Sequence, residues 1–407
     1  MIIQFNMIQS IGVAVVFLLI GRAIKNTIPL FSRYAIPSPV IGGLIFSIIH
    51  LILRQNNIAY FEFDATLQTF FQTMFFCTVG FNASFKMLKI GGKKIFIFLL
   101  ISTVLAILQN VLAVGLSGVL GISPLVALLT ASPSLTGGHG TAAAVAPSIE
   151  VLGHPEALTI ALTAATFGLI AGSLIGSPMA NHLIRKNNLV NKKKTQSTDE
   201  DNFDLSIVEH KKTTLNTNRI NMAFFQILLA MALGTYLTDV LNTLIGRWYE
   251  GVTFPSYIGA MLIAALIRNI SDCTTLFHNP KEEIEVVGEV SLNLFLGMAL
   301  ITLKLWHLID LALPMLILLL AQCLMMYMYG VFVSYRFMGK NYDSAVMVAG
   351  LTGFGMGSTS NAMANMNAVT EKYGYSKTAF FIVPIVGSLF IDFINIGIIY
   401  AFIGFLT

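Results

Sequence analysis

The sequence predicts an all-α polytopic membrane protein with ten transmembrane helices in two inverted five-helix repeats, each containing a re-entrant hairpin. Three observations predict this fold. The 407 residues are 56% hydrophobic and only 11% charged, whereas a soluble domain carries about 25% charged residues. Apolar runs of membrane-spanning length recur along the chain. Two glycine-rich stretches that both begin with Leu-Thr-Gly, at 135–137 and 351–353, interrupt those runs.

The remaining composition excludes several classes of protein. A net charge of +4 is too small to indicate nucleic-acid binding. Cys77, Cys273 and Cys323 are scattered, so neither a disulfide framework nor a structural metal site is predicted. The N-terminal sequence MIIQFNMIQSIGVAVVFLLIGRAIK has no basic residue before its apolar stretch. It therefore predicts a retained first membrane helix rather than a signal peptide.

About 20 apolar residues cross the hydrocarbon core of a bilayer. On that measure ten segments are predicted to span the membrane, near 7–28, 38–53, 66–86, 94–118, 157–184, 220–244, 254–271, 286–306, 311–334 and 377–404. Two glycine-rich stretches, near 122–150 and 343–370, are too interrupted to be plain spans. They are predicted to enter the membrane and turn back as re-entrant hairpins.

A polar, charged segment at 185–219 is predicted to be a linker between an N-terminal repeat, 1–184, and a C-terminal repeat, 220–407. Sequences on its two sides match. IPSPVIGGLIFSII (36–49) resembles FPSYIGAMLIAALI (254–267), and each half then reaches its Leu-Thr-Gly stretch. Each half has five spans, an odd number, so the second half is predicted to be inverted relative to the first.

The distribution of basic residues predicts the orientation of the chain. With the N-terminus outside, 21 of the 24 lysines and arginines fall on the inner side. Only Arg54, Arg247 and Lys304 remain on the outer side. Because basic residues concentrate in cytoplasmic loops, we expect both termini outside and the 185–219 linker in the cytoplasm.

The two glycine-rich stretches have the chemistry of an anion site inside a membrane. Helix ends exposed there offer unpaired backbone N–H groups, glycines permit close approach, and hydroxyls and amides add hydrogen bonds. The predicted substrate-binding residues are Thr136, Gly137, Gly138, His139, Gly140, Thr141, Gly355, Gly357, Ser358, Thr359 and Asn361. Two alternatives stay open: the stretches are small-residue helix contacts, and His139 is a hydrogen-bonded structural group.

Oxygen-bearing side chains near these stretches suit a cation. Asp392, in GSLFIDFINIG, is the carboxylate that falls well inside a predicted span, and Asn395 lies on the same helix face. The predicted sodium-binding residues are Asp392, Asn395, Asn365 and Ser134. A proton site at Asp392 and a helix-pairing role for it are the alternatives.

Five motifs resemble those of the bacterial glutamate:sodium symporter family: SLTGGHGTAAA, GFGMGSTSNAMANM, NLFLGMALITLKLW, MGKNYDSAVMVAG and SLFIDFINI. They cover most of the chain outside the linker and the first span. The resemblance implies a homodimer in the bacterial inner membrane, with ten-span protomers made of a scaffold and a mobile core that holds both hairpins. It further implies elevator-type uptake of L-glutamate coupled to Na⁺, with no cofactor besides the coupling ion.

Functions other than transport fit the sequence less well. An intramembrane enzyme using His139 with a serine lacks a second catalytic histidine and leaves the repeat unexplained. A passive channel would conduct without ion coupling. Within transport, the alternatives are a carrier of another dicarboxylate or 2-hydroxycarboxylate, coupled to Na⁺ or protons, and a Na⁺/H⁺ antiporter using Asp392.

Overall fold

The computed structural model describes residues 2–34, 36–189, 216–245, 254–274, 279–308 and 311–407. Most of the predicted linker, 190–215, lies outside the described residues. The described part of the first half forms a two-stranded ribbon and eight helices: β1 (Ile2–Phe5), α1 (Met7–Thr27), α2 (Pro29–Arg33), α3 (Ser38–Gln55), β2 (Tyr60–Phe63), α4 (Thr66–Asn82), α5 (Phe85–Leu120), α6 (Pro124–Leu128), α7 (Gly138–Glu150) and α8 (Ala157–Lys186).

The described part of the second half is also helical. Its α-helices are α9 (Thr217–Ile245), α10 (Ser256–Cys273), α11 (Lys281–Ile301), α12 (Ala312–Tyr329), α13 (Tyr335–Phe337), α14 (Tyr342–Gly355), α15 (Thr359–Tyr373), α16 (Lys377–Ile385) and α17 (Ile391–Leu406). A 3₁₀ turn at Leu305–Leu308 precedes α12. One π-helical turn, Gly330–Ser334, joins α12 to α13, and another, Val386–Phe390, joins α16 to α17.

Seven described helices are long and apolar enough to cross a membrane: α1, α3, α5 from Gly92 onward, α8, α9, α11 and α12 with its extension to Phe337. The bent pair Lys377–Ser388 and Ile391–Leu406 forms an eighth if it is one span. The chain is therefore a polytopic helical membrane protein. The predicted spans 66–86 and 254–271 correspond to α4, which has only 17 residues, and α10, which carries Arg268 and Asp272 near its end. A total of ten spans stays a prediction.

A short ribbon accompanies the helices at the N-terminus, where β1 pairs in parallel with β2. Phe5 stacks on Phe63 with ring centroids 5.0 Å apart, which covers one face of the ribbon. Helix α1 begins immediately afterwards at a capping box. The Asn6 side chain accepts from the backbone N–H of Gln9, and the Gln9 side chain accepts from that of Asn6. The apolar first residues thus form a strand before the first membrane helix starts.

The helices sort into two packed groups. Bundle A consists of α1, α3 and α4 with α9, α10 and α11. Bundle B consists of α5 to α8 with α12 and α14 to α17. Each bundle therefore combines helices from both halves of the chain. Helix α5 links the bundles, because its first residue is tied to α10: the Phe85 N–H donates to Asn269 Oδ1 over 2.8 Å.

Candidate substrate and ion site

Both glycine-rich stretches are broken helices. The first has a non-helical segment between α6, which ends at Leu128, and α7, which begins at Gly138. The second breaks between α14, which ends at Gly355, and α15, which begins at Thr359. The Ser358 hydroxyl caps α15 by accepting from the Asn361 N–H over 3.3 Å. We call these segments, 129–137 and 356–358, the first break and the second break.

The two breaks come together where Gly138, the first residue of α7, contacts Gly357 in the second break. A Cβ atom built on Gly138 would lie 2.6 Å from the Gly357 carbonyl oxygen, far inside van der Waals contact. Gly138 also has φ of +61°, which side chains rarely adopt. Glycine is therefore required at 138 both by the contact and by the backbone conformation.

A cavity of about 240 Å³ lies where the breaks meet. Bundle B contributes the two breaks, the first turns of α7 and α15, and Asp392 of α17. Bundle A contributes an apolar wall, with Phe75 and Phe76 of α4 and Leu292 and Leu296 of α11. The cavity thus lies on the boundary between the two bundles.

Most of the predicted substrate residues line this cavity. The structure brings together Thr136, Gly137, Gly138, His139, Gly140, Thr141, Gly357, Ser358 and Thr359. Gly355 and Asn361 are not among the residues that line it. The Gly355 carbonyl instead accepts from Gln109, and the buried Asn361 amide donates to the Leu169 carbonyl over 2.8 Å. These two residues hold the wall of the cavity rather than form its surface.

His139 is fixed by a hydrogen bond from its Nε2 to Thr166 Oγ1, over 3.0 Å. The Thr166 hydroxyl proton is directed to the Leu162 carbonyl, 2.8 Å away. Thr166 Oγ1 therefore acts as the acceptor, which assigns the ring proton to Nε2 and leaves Nδ1 as a hydrogen-bond acceptor. A structural role for His139 and a role in binding a ligand at the cavity surface are therefore compatible.

The cavity carries little formal charge. Among the described residues that line it there is no lysine or arginine, and Asp392 is the one carboxylate. Thr359 Oγ1 donates to the Gly387 carbonyl over 3.1 Å, which ties α15 to the π-helical turn before Asp392. An anion in this cavity would be held by backbone N–H groups, hydroxyls and the imidazole.

The four predicted sodium residues lie in different surroundings. Asp392 lines the cavity. Asn395 donates to the Ser132 carbonyl over 3.1 Å, and Ser134 donates to the Ala161 carbonyl over 2.9 Å, both beside the first break. Asn365 donates to the Gly172 carbonyl, on α8, over 3.0 Å. A sodium site at these residues stays a prediction.

Two parts of the site are absent from the sequence prediction. The apolar wall from α4 and α11 is one; its sequence signal is FFQTMFF (70–76), which weakly resembles LFLGMAL (294–300) in the other half. The other is Gln109, a buried amide on α5 that bonds to the first break and to the end of α14, directly before the second break. Its signal is a glutamine in the middle of an otherwise apolar helix, where an unpartnered amide is costly.

The fold and the site define a polytopic membrane protein that encloses a small cavity, with a polar side and an apolar wall, between two helical bundles. Residues 3–375 match the model of the sodium/glutamate symporter family. The chain is 36% identical over 393 residues to the sodium/glutamate symporter of Escherichia coli (strain K12), covering 96% of each chain. It is 36% identical over 400 residues to that of Haemophilus influenzae, covering 97% of this chain and 96% of the relative. The chain belongs to the sodium/glutamate symporter family, and it is a transporter rather than an enzyme.

Proposed function

We propose that this protein takes up L-glutamate together with Na⁺ across the bacterial cytoplasmic membrane. The observation that carries this proposal is the cavity at which both helix breaks meet, lined by backbone N–H groups and hydroxyls in a chain whose relatives are named sodium/glutamate symporters. The first turns of α7 and α15 both face the cavity, and N–H groups at helix N-termini bind carboxylates. The two carboxylates of glutamate are matched to these two helix ends.

Asp392 favours glutamate over a dicarboxylate that lacks an amino group. A carboxylate in a cavity of low charge repels a dianionic ligand unless a cation accompanies it. Glutamate brings an ammonium group, and the coupling sodium ion brings a further positive charge. We assign the cation side of the site to Asp392, with Asn395, Asn365 and Ser134 as the other candidate oxygen ligands.

The proposed topology is ten spans in two inverted repeats, with both termini outside and the linker in the cytoplasm. Corresponding helix pairs support the repeat. In the first half α1 and α3 approach closely at Gly21 and Gly42, and in the second half α9 and α10 do so at Gly234 and Gly259. Both α3 and α10 also start directly after a proline in extended conformation.

We propose an elevator mechanism in which bundle A is the scaffold, forming the homodimer contact, and bundle B is the mobile core. The boundary between the bundles supports this division, because its wall at the cavity is apolar. Among the polar contacts that cross it, the one from Gln72 Nε2 to the Ala144 carbonyl is long at 3.5 Å, and the hydroxyls of Tyr257 and Tyr400 lie 3.1 Å apart. The broken helices and the cavity would move together with bundle B.

The function is tested by uptake of labelled L-glutamate into proteoliposomes, with an inward Na⁺ gradient and with K⁺ in its place. We expect accumulation only with Na⁺, inhibited by excess L-glutamate and little affected by malate or citrate. Accumulation of a 2-hydroxycarboxylate in preference to glutamate would favour the alternative carrier. Uptake that persists unchanged with K⁺ would show that transport is not coupled to Na⁺.

The role of Asp392 is tested in the same assay with Asp392→Asn, and with Asp239→Asn on the exposed face of α9 as a matched control. We expect the Asp392 variant to need a higher Na⁺ concentration for half-maximal uptake while keeping its folded yield. The control should behave as wild type. Unchanged Na⁺ activation in Asp392→Asn would exclude this carboxylate from the cation site.

A further inference from the structure

Gln109 of α5 contacts the first break and the last residue of α14, which leads into the second break, without lining the cavity. Its Nε2 donates to the Gly355 carbonyl at the end of α14 over 2.7 Å. Its Oε1 accepts from the Thr136 hydroxyl in the first break, also over 2.7 Å. The side chain is only 1% exposed, so both bonds are formed in a dry environment where losing either is costly.

The primary amide is the group that this position needs. It presents one donor to a carbonyl and one acceptor to a hydroxyl, and neither a carboxylate nor an apolar side chain can do both. Thr136 Oγ1 lies 3.5 Å from the Gly355 carbonyl, too far to replace the Gln109 bond well. Without the amide, the end of α14 and the first break would each lose a short hydrogen bond.

We propose that Gln109 is a positioning residue that holds the first and second breaks in register and thereby sets the geometry of the substrate site. Thr136 lines the cavity, and Gly355 leads within two residues to Gly357, which also lines it. Through one side chain, Gln109 therefore positions cavity-lining residues of both glycine-rich stretches. The inference rests on the proposed function for its substrate, and on the structure alone for its effect on the two breaks.

Gln322 of α12 is a matched control. Like Gln109 it is a buried glutamine, 1% exposed, and it lies in the same layer of bundle B. Its Nε2 donates to the backbone carbonyl of Gln109 over 2.8 Å, so it steadies α5. Within the described residues, no hydrogen bond joins Gln322 to either break. Loss of its side chain tests general damage to the bundle.

Three variants separate the roles: Gln109→Leu, Gln109→Glu and Gln322→Leu, each purified as the full chain. We expect Gln109→Leu to raise the apparent dissociation constant for Na⁺-dependent L-glutamate binding roughly tenfold or more. The reason is that hydrogen bonds which position the site of a charged ligand are lost. Gln322→Leu should change it by less than about threefold. A wild-type constant in Gln109→Leu would overturn the inference.

Gln109→Glu adds a readout that general destabilisation would not produce. An ionised carboxylate cannot donate to the Gly355 carbonyl, whereas the protonated carboxyl can donate to it and still accept from Thr136. The apparent dissociation constant of this variant, divided by that of wild type, should therefore fall towards one as the pH is lowered from 8 to 5. His139 and Asp392 at the cavity, and Cys323 beside Gln322, are present in both proteins, so the ratio isolates the effect of the group at position 109. A ratio that stays well above one throughout this pH range would contradict the positioning role.

Hydrogen exchange tests the same inference without a substrate. In ligand-free protein, backbone amides in peptides covering 136–141 and 355–360 should exchange several-fold faster in Gln109→Leu than in wild type, and not in Gln322→Leu. Faster exchange at one peptide alone, or at neither, would overturn the inference. If wild-type protein binds no glutamate but both peptides respond, the proposed substrate is wrong and the role of Gln109 stands.

Discussion

At the scale of single residues, the contact between Gly138 and Gly357 makes the site sensitive to the smallest side chain. A methyl group at 138 would meet the Gly357 carbonyl and would occupy a positive φ. We expect Gly138→Ala to raise the apparent dissociation constant for glutamate more than tenfold, measured by binding to purified protein.

Gly153 provides the control for that prediction. It has φ of +97° with open space around the missing Cβ, so Gly153→Ala imposes backbone strain without a clash. We expect this variant to bind glutamate as wild type with a slightly lower Tm. Equal loss of binding in both variants would mean that strain, and not the contact between the breaks, is responsible.

The predicted site residues differ in how well sequence could place them. Thr136 to Thr141 and Gly357 to Thr359 are short consecutive runs, so locating each break locates them all, and the structure groups them at one cavity. Asn361 lies only two residues further on, but helical geometry turns its side chain towards α8. Gln109 was missed because its importance depends on contacts 27 and 246 residues away, which no local pattern reveals.

At the scale of elements, α5 contains a break of its own at Gly92, with φ of +57° and ψ of −151°. This conformation is nearly exclusive to glycine and costs other residues about 1–3 kcal/mol. We expect Gly92→Ala to lower the Tm of the purified protein, although the added methyl group meets nothing within 4 Å.

Gly115 is the matched control on the same helix. It also has open space around the missing Cβ, but its backbone is helical. Alanine is favoured over glycine inside a helix by about 0.5–1 kcal/mol. Gly115→Ala should therefore keep or raise the Tm, and a decrease in both variants would point to a lipid or packing effect instead of backbone conformation.

The helices themselves were well predicted, because each of the ten apolar segments corresponds to a described helix or to the bent pair α16–α17. The fourth segment, predicted at 94–118, matches the part of α5 from Gly92 to Leu120. Lys86 and Lys89 lie in the helical turns before the break at Gly92, outside the apolar segment. The strand β1 was missed because an apolar N-terminus reads equally well as part of a membrane helix, and its partner β2 is 58 residues away.

At the scale of the whole molecule, the excess of inner basic residues predicts the orientation. A cysteine placed at Ser197, which lies outside the described residues, should react with an impermeant thiol reagent only from the cytoplasmic side. A cysteine at Thr407 should react only from the outside. Labelling of both from one face would exclude an odd number of membrane crossings between these two positions.

Movement of bundle B against bundle A can be arrested by a covalent link across their boundary. In a background lacking Cys77, Cys273 and Cys323, we expect a short bifunctional thiol reagent bridging Gln72→Cys and Ala144→Cys to stop uptake, with recovery after reduction. These positions face each other across the boundary.

A link within one bundle provides the comparison. A Cβ at Gly297 would lie 3.6 Å from that of Ala14, both in bundle A, and this separation suits a disulfide. Oxidised Ala14→Cys, Gly297→Cys protein should transport normally because the two positions move together. Full uptake by the cross-boundary link would contradict relative movement of the bundles.

The interleaving of the two halves in both bundles has a consequence for biosynthesis. While the ribosome is still making the second half, helix α5 is already in the bilayer, but the Gly355 carbonyl that satisfies Gln109 does not yet exist. Lipid offers no substitute partner. The nascent first half is therefore an unfinished folding unit, and as a separate polypeptide it should be cleared by membrane proteases. Co-expression with a fragment that supplies residues 216–407 should rescue it.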